Sequence, residues 1–140
     1  MEVDREAVES RLSLFRGYVE ELESLRARRD EFQRSLLLRM AVERLLQLAI
    51  ECLLDVAQHV AAAKGRRPPE SYADSITVLE ESGLIDERRA DLYRSIARFR
   101  NVLVHGYVRL DPSEVYRVWV EGLNDLREMA RDLLRASLDP

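Results

Sequence analysis

Residues 41–60 read Ala41-Val42-Glu43-Arg44-Leu45-Leu46-Gln47-Leu48-Ala49-Ile50-Glu51-Cys52-Leu53-Leu54-Asp55-Val56-Ala57-Gln58-His59-Val60. Val42, Leu45, Ala49, Cys52 and Val56 recur at spacings of three, four, three and four, and Leu46, Ile50 and Leu53 widen the stripe. That is the period of an α-helix, not the alternation of a half-buried strand. A helix apolar over so much of its surface is normally central, so a core helix is expected from about residue 30 to about residue 63. Cys52 lies on the stripe and reads as a small core hydrophobe. His59, beside Ala57, Val60 and Ala61, reads as structural. Lys64-Gly65-Arg66-Arg67-Pro68-Pro69 then stops the helix and opens a loop.

The segments on either side are helical too. Upstream, Val8, Leu12, Phe15, Val19 and Leu22 form one stripe on a helix expected from about residue 4 to about residue 28, with Gly17 inside it. Downstream, Ser71 through Ser82 makes a short third helix, capped by Ser71 and stopped by Gly83. A fourth, from about Asp86 to about His105, carries Leu92, Ile96, Phe99 and Leu103 and ends at Gly106. Asp111-Pro112-Ser113-Glu114 is a strong helix start, and Val115, Val118, Trp119, Leu123, Leu126 and Leu133 line the apolar side of a fifth helix. The expected architecture is an all-α, up-and-down bundle of about five helices, a single domain over residues 1–140.

Composition narrows the function classes. The 140 residues hold 22 Lys+Arg against 26 Asp+Glu, a net charge of −4, with 46% apolar residues: a globular composition, not a disordered one. No uninterrupted apolar run approaches the roughly 20 residues of a membrane span, so no membrane partner is expected. Met1-Glu2-Val3-Asp4-Arg5-Glu6 lacks the apolar core of a signal peptide, which makes the cytoplasm the default location. A single cysteine forbids an intrachain disulfide, and two distant histidines without an H-E-x-x-H spacing make no metal site. Gly-rich phosphate loops and G-x-S-x-G turns are missing, so no cofactor is expected.

The acidic total argues weakly against nucleic acid, but its distribution argues the other way. Twenty-one of the 22 basic residues are Arg, and between Asp91 and Asp111 there is no acid, so Arg94, Arg98, Arg100 and Arg109 give that stretch a local charge of +4. One basic cleft on an acidic body is where a polyanion would dock. At about 100° per residue, Arg94, Arg98, Asn101 and His105 fall within about 60° and form one polar stripe. His105 can give or take a proton near neutrality, which makes it the best catalytic candidate. Arg100 lies about 140° from His105 around an ideal helix. Either the helix ends before His105 and the backbone turns it, or Arg100 works with the His105 of a second copy. On the central helix, Glu43, Arg44, Gln47, Glu51, Asp55 and Gln58 fall within about 120°; this polar strip is expected to face and orient the arginine stripe, or to line the same cleft.

Arg100-Asn101-Val102-Leu103-Val104-His105-Gly106-Tyr107 matches the R-x4-H-x-Y motif of the HepT-like branch of the HEPN superfamily. Residues 41–60 resemble that family's second helix, and Pro69-Glu70-Ser71-Tyr72-Ala73-Asp74-Ser75-Ile76-Thr77-Val78-Leu79-Glu80-Glu81-Ser82-Gly83-Leu84-Ile85 resemble its third. With length and helix count, the resemblance covers nearly the whole chain. It implies a HEPN-like homodimer with the motif near the dimer cleft, acting as the toxin ribonuclease of a two-gene toxin–antitoxin system. The partner would be an MntA-like minimal nucleotidyltransferase, the substrate RNA, and no metal would be needed. Arg100 and His105 would be catalytic, Asn101 would support them, and Tyr107 would be the tyrosine the partner blocks by attaching AMP. Arg94 and Arg98 would hold flanking RNA phosphates, and Glu43, Arg44, Gln47, Glu51 and Asp55 would form the supporting strip. The resemblance also admits a non-catalytic companion of a nucleotidyltransferase.

Overall fold

A computed structural model describes residues 2–106 and 108–139. Six α-helices follow one another: α1 (Arg5–Leu25), α2 (Leu36–Lys64), α3 (Tyr72–Glu81), α4 (Glu87–His105), α5 (Pro112–Glu121) and α6 (Leu123–Leu138), with a 3-10 segment, Arg26–Glu31, between α1 and α2. No strand occurs among the described residues. Five helices begin on a side chain that accepts a backbone N–H of the first turn: Asp4, Ser35, Ser71, Asp86 and Asp111. These oxygens satisfy donors that have no partner inside the helix. Gly83 closes α3 with φ +75°, its N–H donating to Glu80 O while the Leu84 N–H donates to Leu79 O, a double closure that needs the left-handed residue.

Three boundaries differ from expectation, each for a local reason. The first helix stops at Leu25 and the second begins only at Leu36, because residues 26–34 wind into tighter turns around Phe32. Phe32 is buried against Tyr116 and Trp119, and Arg39 donates to the Phe32 and Gln33 carbonyls at 2.8 Å, which pins the connection. The expected fifth helix divides at Gly122 into α5 and α6. There the backbone folds so closely that a Cβ would stand 2.9 Å from Val118 O. The 65–71 connection doubles back, so α3 lies parallel to the C-terminal half of α2: Tyr72 meets Asp55, while Gly65 packs against Val78.

The core surrounds α2, which packs on α1, α3, α4, α5 and α6. Val8, Leu12, Phe15, Val19 and Leu22 of α1 are all buried, as are Val42, Leu46, Ala49, Ile50, Cys52, Leu53 and Val56 of α2. By length and mean hydropathy α2 would pass as a membrane span, and 56% of its most apolar window is buried inside the bundle. Burial pushes the Cys52 thiol up to about 11, with Asp55 adding to the shift, so it stays protonated and inert. Four polar ties fasten the layers. The buried Trp119 indole donates to Leu22 O at 2.7 Å. The Tyr93 hydroxyl donates to the buried carboxylate of Asp132, which Arg89 and Arg135 flank at 3.5 Å. Lys64, the sole lysine, donates to Ala136 O at 3.0 Å and to Asp139 O, satisfying carbonyls at the end of α6. His59 Nε2 accepts the Asp4 N–H at 2.9 Å, so the histidine read as structural ties α2 to the start of α1.

Candidate active site

The site forms where α4 crosses the polar strip of α2. Arg94 reaches Thr77 and Glu80 of α3, whereas Arg100 lies over Tyr72 at the start of α3, so α4 runs against α3 and therefore against α2. Its buried face is Ala90, Tyr93, Ile96, Ala97, Phe99 and Leu103. Arg100 is carried towards α2 by the edge of that face and is mostly covered, with 19% of its side chain exposed.

There the Arg100 guanidinium is clamped. Its Nε donates to Glu51 Oε2 at 2.9 Å and its Nη2 lies 2.8 Å from the same oxygen. Nη1 donates to Asn101 Oδ1 at 3.1 Å. Gln47 holds Glu51 from one turn earlier, donating to Oε2 at 3.1 Å. A guanidinium has five N–H bonds; here Nε and Nη1 donate hydrogen bonds and Nη2 is ion-paired, so among the described residues the terminal nitrogens are not fully taken up. N–H groups on those nitrogens can donate to phosphate oxygens. Arg100 Cζ lies over the Tyr72 ring, 5.3 Å from its centroid, and the Tyr72 hydroxyl donates to Asp55 Oδ1 at 2.6 Å. Asp55 Oδ2 in turn lies 3.6 Å from Arg11 Nε of α1. Burial, then the bond to Asp55, pushes the Tyr72 hydroxyl up to about 12, so it remains a donor.

The polar strip thus meets Arg100, the residue that lies off the arginine stripe, through Glu51, with Gln47 holding Glu51 and Asp55 holding Tyr72. Glu43 is half-buried, and desolvation raises its carboxyl above the usual range, with Arg39 opposing. Arg44 and Gln58 are exposed. Arg94 is taken up by Glu80 at 2.8 Å and by Asp91, so its charge is locally compensated. Arg98, Asn101 and His105 are exposed, and no ion pair of Arg98 occurs among the described residues. α4 remains helical through His105, which removes the idea that the helix ends earlier and turns the imidazole. Gly106 follows where a Cβ would stand 2.9 Å from Val102 O, and its carbonyl accepts the Arg109 and Leu110 N–H groups at 2.8 Å. Tyr107, the candidate for modification, lies outside the described residues. Among the described residues no three His, Cys, Asp or Glu side chains gather as a metal set. The residue that sequence reasoning missed is Tyr72: no spacing rule links the first residue of α3 to an arginine on α4.

A protein-family model described as ribonuclease HepT-like matches residues 15–133. The chain belongs to that family. Among its relatives, YutE of Bacillus subtilis is 28% identical over 141 residues, spanning 99% of this chain and 94% of YutE. The solved structure of YutE, described as a cytosolic protein, superimposes with a TM-score of 0.79 over 99% of this chain and 95% of YutE. The mRNA nuclease HepT of Shewanella oneidensis is 28% identical over 107 residues, 76% of this chain and 80% of HepT. The tri-AMPylated HEPN toxin of Shewanella oneidensis, solved in complex with its MNT antitoxin, shares the fold at a TM-score of 0.83 and 22% identity, over 91% of this chain and 96% of that one. The HepT-like motif therefore sits on a HEPN fold, as its residues suggested.

Proposed function

We propose that this HepT-like chain is a metal-independent endoribonuclease, the toxin of a toxin–antitoxin pair, working in the cytoplasm as a homodimer. The observation that carries this reading is Arg100, clamped by Glu51 and Asn101 five residues before an exposed His105. RNA brings its own nucleophile. Its 2′-oxygen attacks the adjacent phosphorus, the bond to the 5′-oxygen breaks, and a 2′,3′-cyclic phosphate and a 5′-hydroxyl result. One imidazole takes the 2′-hydroxyl proton and another supplies a proton to the departing oxygen. Arg100 stabilises the charge that builds on the phosphate, and needs little reorganisation to do so because Glu51 and Asn101 already hold it. Arg98 takes a flanking phosphate. Arg94 joins that grip by exchanging Glu80 and Asp91 for RNA, and both contacts make binding salt-dependent. The test is cleavage of RNA by the purified protein in the presence of a chelator, with a 2′,3′-cyclic phosphate end as product; a requirement for divalent metal would overturn the mechanism.

The same geometry supports a dimer. Each chain has one histidine suited to the chemistry, and on a helix unbroken through residue 105 it lies about 140° from Arg100. A second copy supplies the other imidazole and brings Arg100 and His105 of different chains to one phosphate. The surface offers a place for it. Leu36, Leu37 and Met40 are 62%, 79% and 57% exposed, and lie on the same arc of α2 as Gln47 and Glu51. Met40 is about 16 Å from Glu51 along the axis, in the direction in which α4 carries His105. Half-buried Glu43 beside exposed Arg44 gives this face charges that complement their own copies across a two-fold axis. The wild-type protein is expected to sediment as a dimer and Leu37→Arg as a monomer, with cleavage falling about tenfold or more; a fully active monomer would separate the two parts of the proposal.

Regulation completes the reading. An MntA-like minimal nucleotidyltransferase would attach AMP to Tyr107, placing bulk and negative charge two residues from His105 and so repelling the RNA phosphate. Co-expression with such a partner is expected to raise the intact mass by one or more AMP groups, and Tyr107→Phe to abolish the increment. An unchanged increment in Tyr107→Phe would move the modification elsewhere.

A further inference from the structure

We propose that Tyr72 is a positioning residue for Arg100, acting as a platform whose ring face fixes the tilt of the guanidinium that meets the phosphate. This rests on the ribonuclease reading of the site and deepens it.

Glu51 and Asn101 engage Arg100 through N–H bonds that lie in the guanidinium plane. In-plane bonds set where the group points along that plane. They resist rotation about the Glu51–Arg100 line poorly, because an N–H bond weakens steeply only when its angle falls below about 120°. A phosphate approached by a tilted guanidinium receives one hydrogen bond instead of two. The missing restraint is a third point of contact outside those bonds, and the Tyr72 ring, over which Arg100 Cζ lies 5.3 Å from the centroid, supplies it. The attraction of a cation for the ring face holds the two together.

The ring is itself held. Its hydroxyl donates to Asp55 Oδ1 at 2.6 Å, and Asp55 Oδ2 is 3.6 Å from Arg11 Nε. The backbone at Tyr72 is fixed by the cap that starts α3, where Ser71 Oγ accepts the Asp74 N–H at 3.0 Å. Four helices therefore converge on one guanidinium: α1 through Arg11, α2 through Asp55 and Glu51, α3 through Tyr72, and α4 through Arg100 itself. A tyrosine–aspartate pair on its own would be a structural tie. Here the side chain over the ring is the cation of the motif, the one that the proposed chemistry aims at the phosphate.

The experiment compares Tyr72→Leu, Tyr72→Phe and Tyr72→Trp in the full-length dimer, by two readouts. In RNA cleavage, Tyr72→Leu is expected to lower kcat about 5- to 30-fold with KM changed less than about twofold, because the platform acts on orientation rather than on binding. Tyr72→Phe keeps the face and loses the Asp55 bond, so it should fall between, and Tyr72→Trp should restore most of the rate. The second readout needs no activity: the side-chain Nε–H resonance of Arg100, assigned by its loss in Arg100→Lys. A held guanidinium gives a sharp, slowly exchanging signal, which Tyr72→Leu should broaden or abolish and Tyr72→Trp retain. Should Tyr72→Leu fail to fold, Asp55→Asn, which loosens the ring anchor, carries the same comparison. An unchanged resonance, or an unchanged kcat in a wild-type protein that cleaves RNA, overturns the platform. A wild-type protein that cuts no RNA while Tyr72→Leu still releases the Arg100 signal overturns the ribonuclease reading and leaves the platform standing.

Discussion

Alanine at position 105 is expected to reduce RNA cleavage about 10²- to 10⁴-fold, the range for losing a positioned proton donor or acceptor. In the proposed dimer one substitution removes both imidazoles, so the effect belongs at the upper end. The fold should be indifferent to the change. His105 is exposed and is the last residue of α4, and Gly106, not His105, makes the bond that closes the helix, its N–H donating to Val102 O at 2.9 Å. Substitution of an exposed side chain away from caps and networks usually stays within about 0.5 kcal/mol. The measurement is a cleavage time course beside thermal unfolding of the same preparation. Lost cleavage with unchanged unfolding supports a chemical role. Cleavage by His105→Ala at the wild-type rate would remove the histidine from the mechanism, and with it the argument that two copies are needed to supply two proton transfers. Mixing His105→Ala with an Arg100 variant sharpens the test, because complementary single-site chains can rebuild one intact site across the dimer only if the two residues act in trans.

Much of this was legible in the sequence, and what was not has physical causes. Periodicity picked out every buried residue of α1, since a two-sided helix has only one way to hide five apolar side chains: Val8, Leu12, Phe15, Val19 and Leu22. On α4 it was less accurate. Leu92 is only partly buried, and Tyr93 and Ala97 take the interior instead, because Asp132 on α6 offers the Tyr93 hydroxyl a partner that no pattern on α4 reveals. The break at Gly122 was hidden because the apolar period runs through it from Val118 to Leu126, and the close approach of Val118 O that demands glycine is a property of the folded backbone. At the site, the motif named Arg100, but the strip carrying Glu51 was expected to face the Arg94–Arg98–Asn101–His105 stripe or to line its cleft, and it is Arg100, off that stripe, that Glu51 meets. Their meeting could not be read from either helix alone, since it depends on the crossing of α4 over α2. The same holds for the pairing of Arg94 with Glu80 on α3, a contact that RNA must displace before Arg94 can hold a phosphate.

Arg100→Lys is the more discriminating substitution, because it keeps the charge and removes the fork. We expect cleavage to drop about 10²- to 10³-fold, the cost of losing a preorganised donor to a developing anion. A lysine ammonium can reach Glu51, but a single nitrogen cannot donate to Glu51, to Asn101 Oδ1 and to two phosphate oxygens at once. It also has no plane to lie on Tyr72. If the site needed only positive charge to gather RNA, lysine would serve nearly as well, and KM would carry whatever change occurred. If the planar fork stabilises the transition state, kcat falls and KM moves little. The half-buried Glu51 keeps a cation beside it in Arg100→Lys, so the destabilisation that Arg100→Ala would bring, by leaving that carboxylate with Gln47 alone, is avoided. The pair of variants therefore separates fold from chemistry: Arg100→Ala loses both stability and cleavage, whereas Arg100→Lys is expected to lose cleavage alone, and a lysine variant that cleaves within about threefold of wild type would reduce Arg100 to an electrostatic attractor for the RNA backbone.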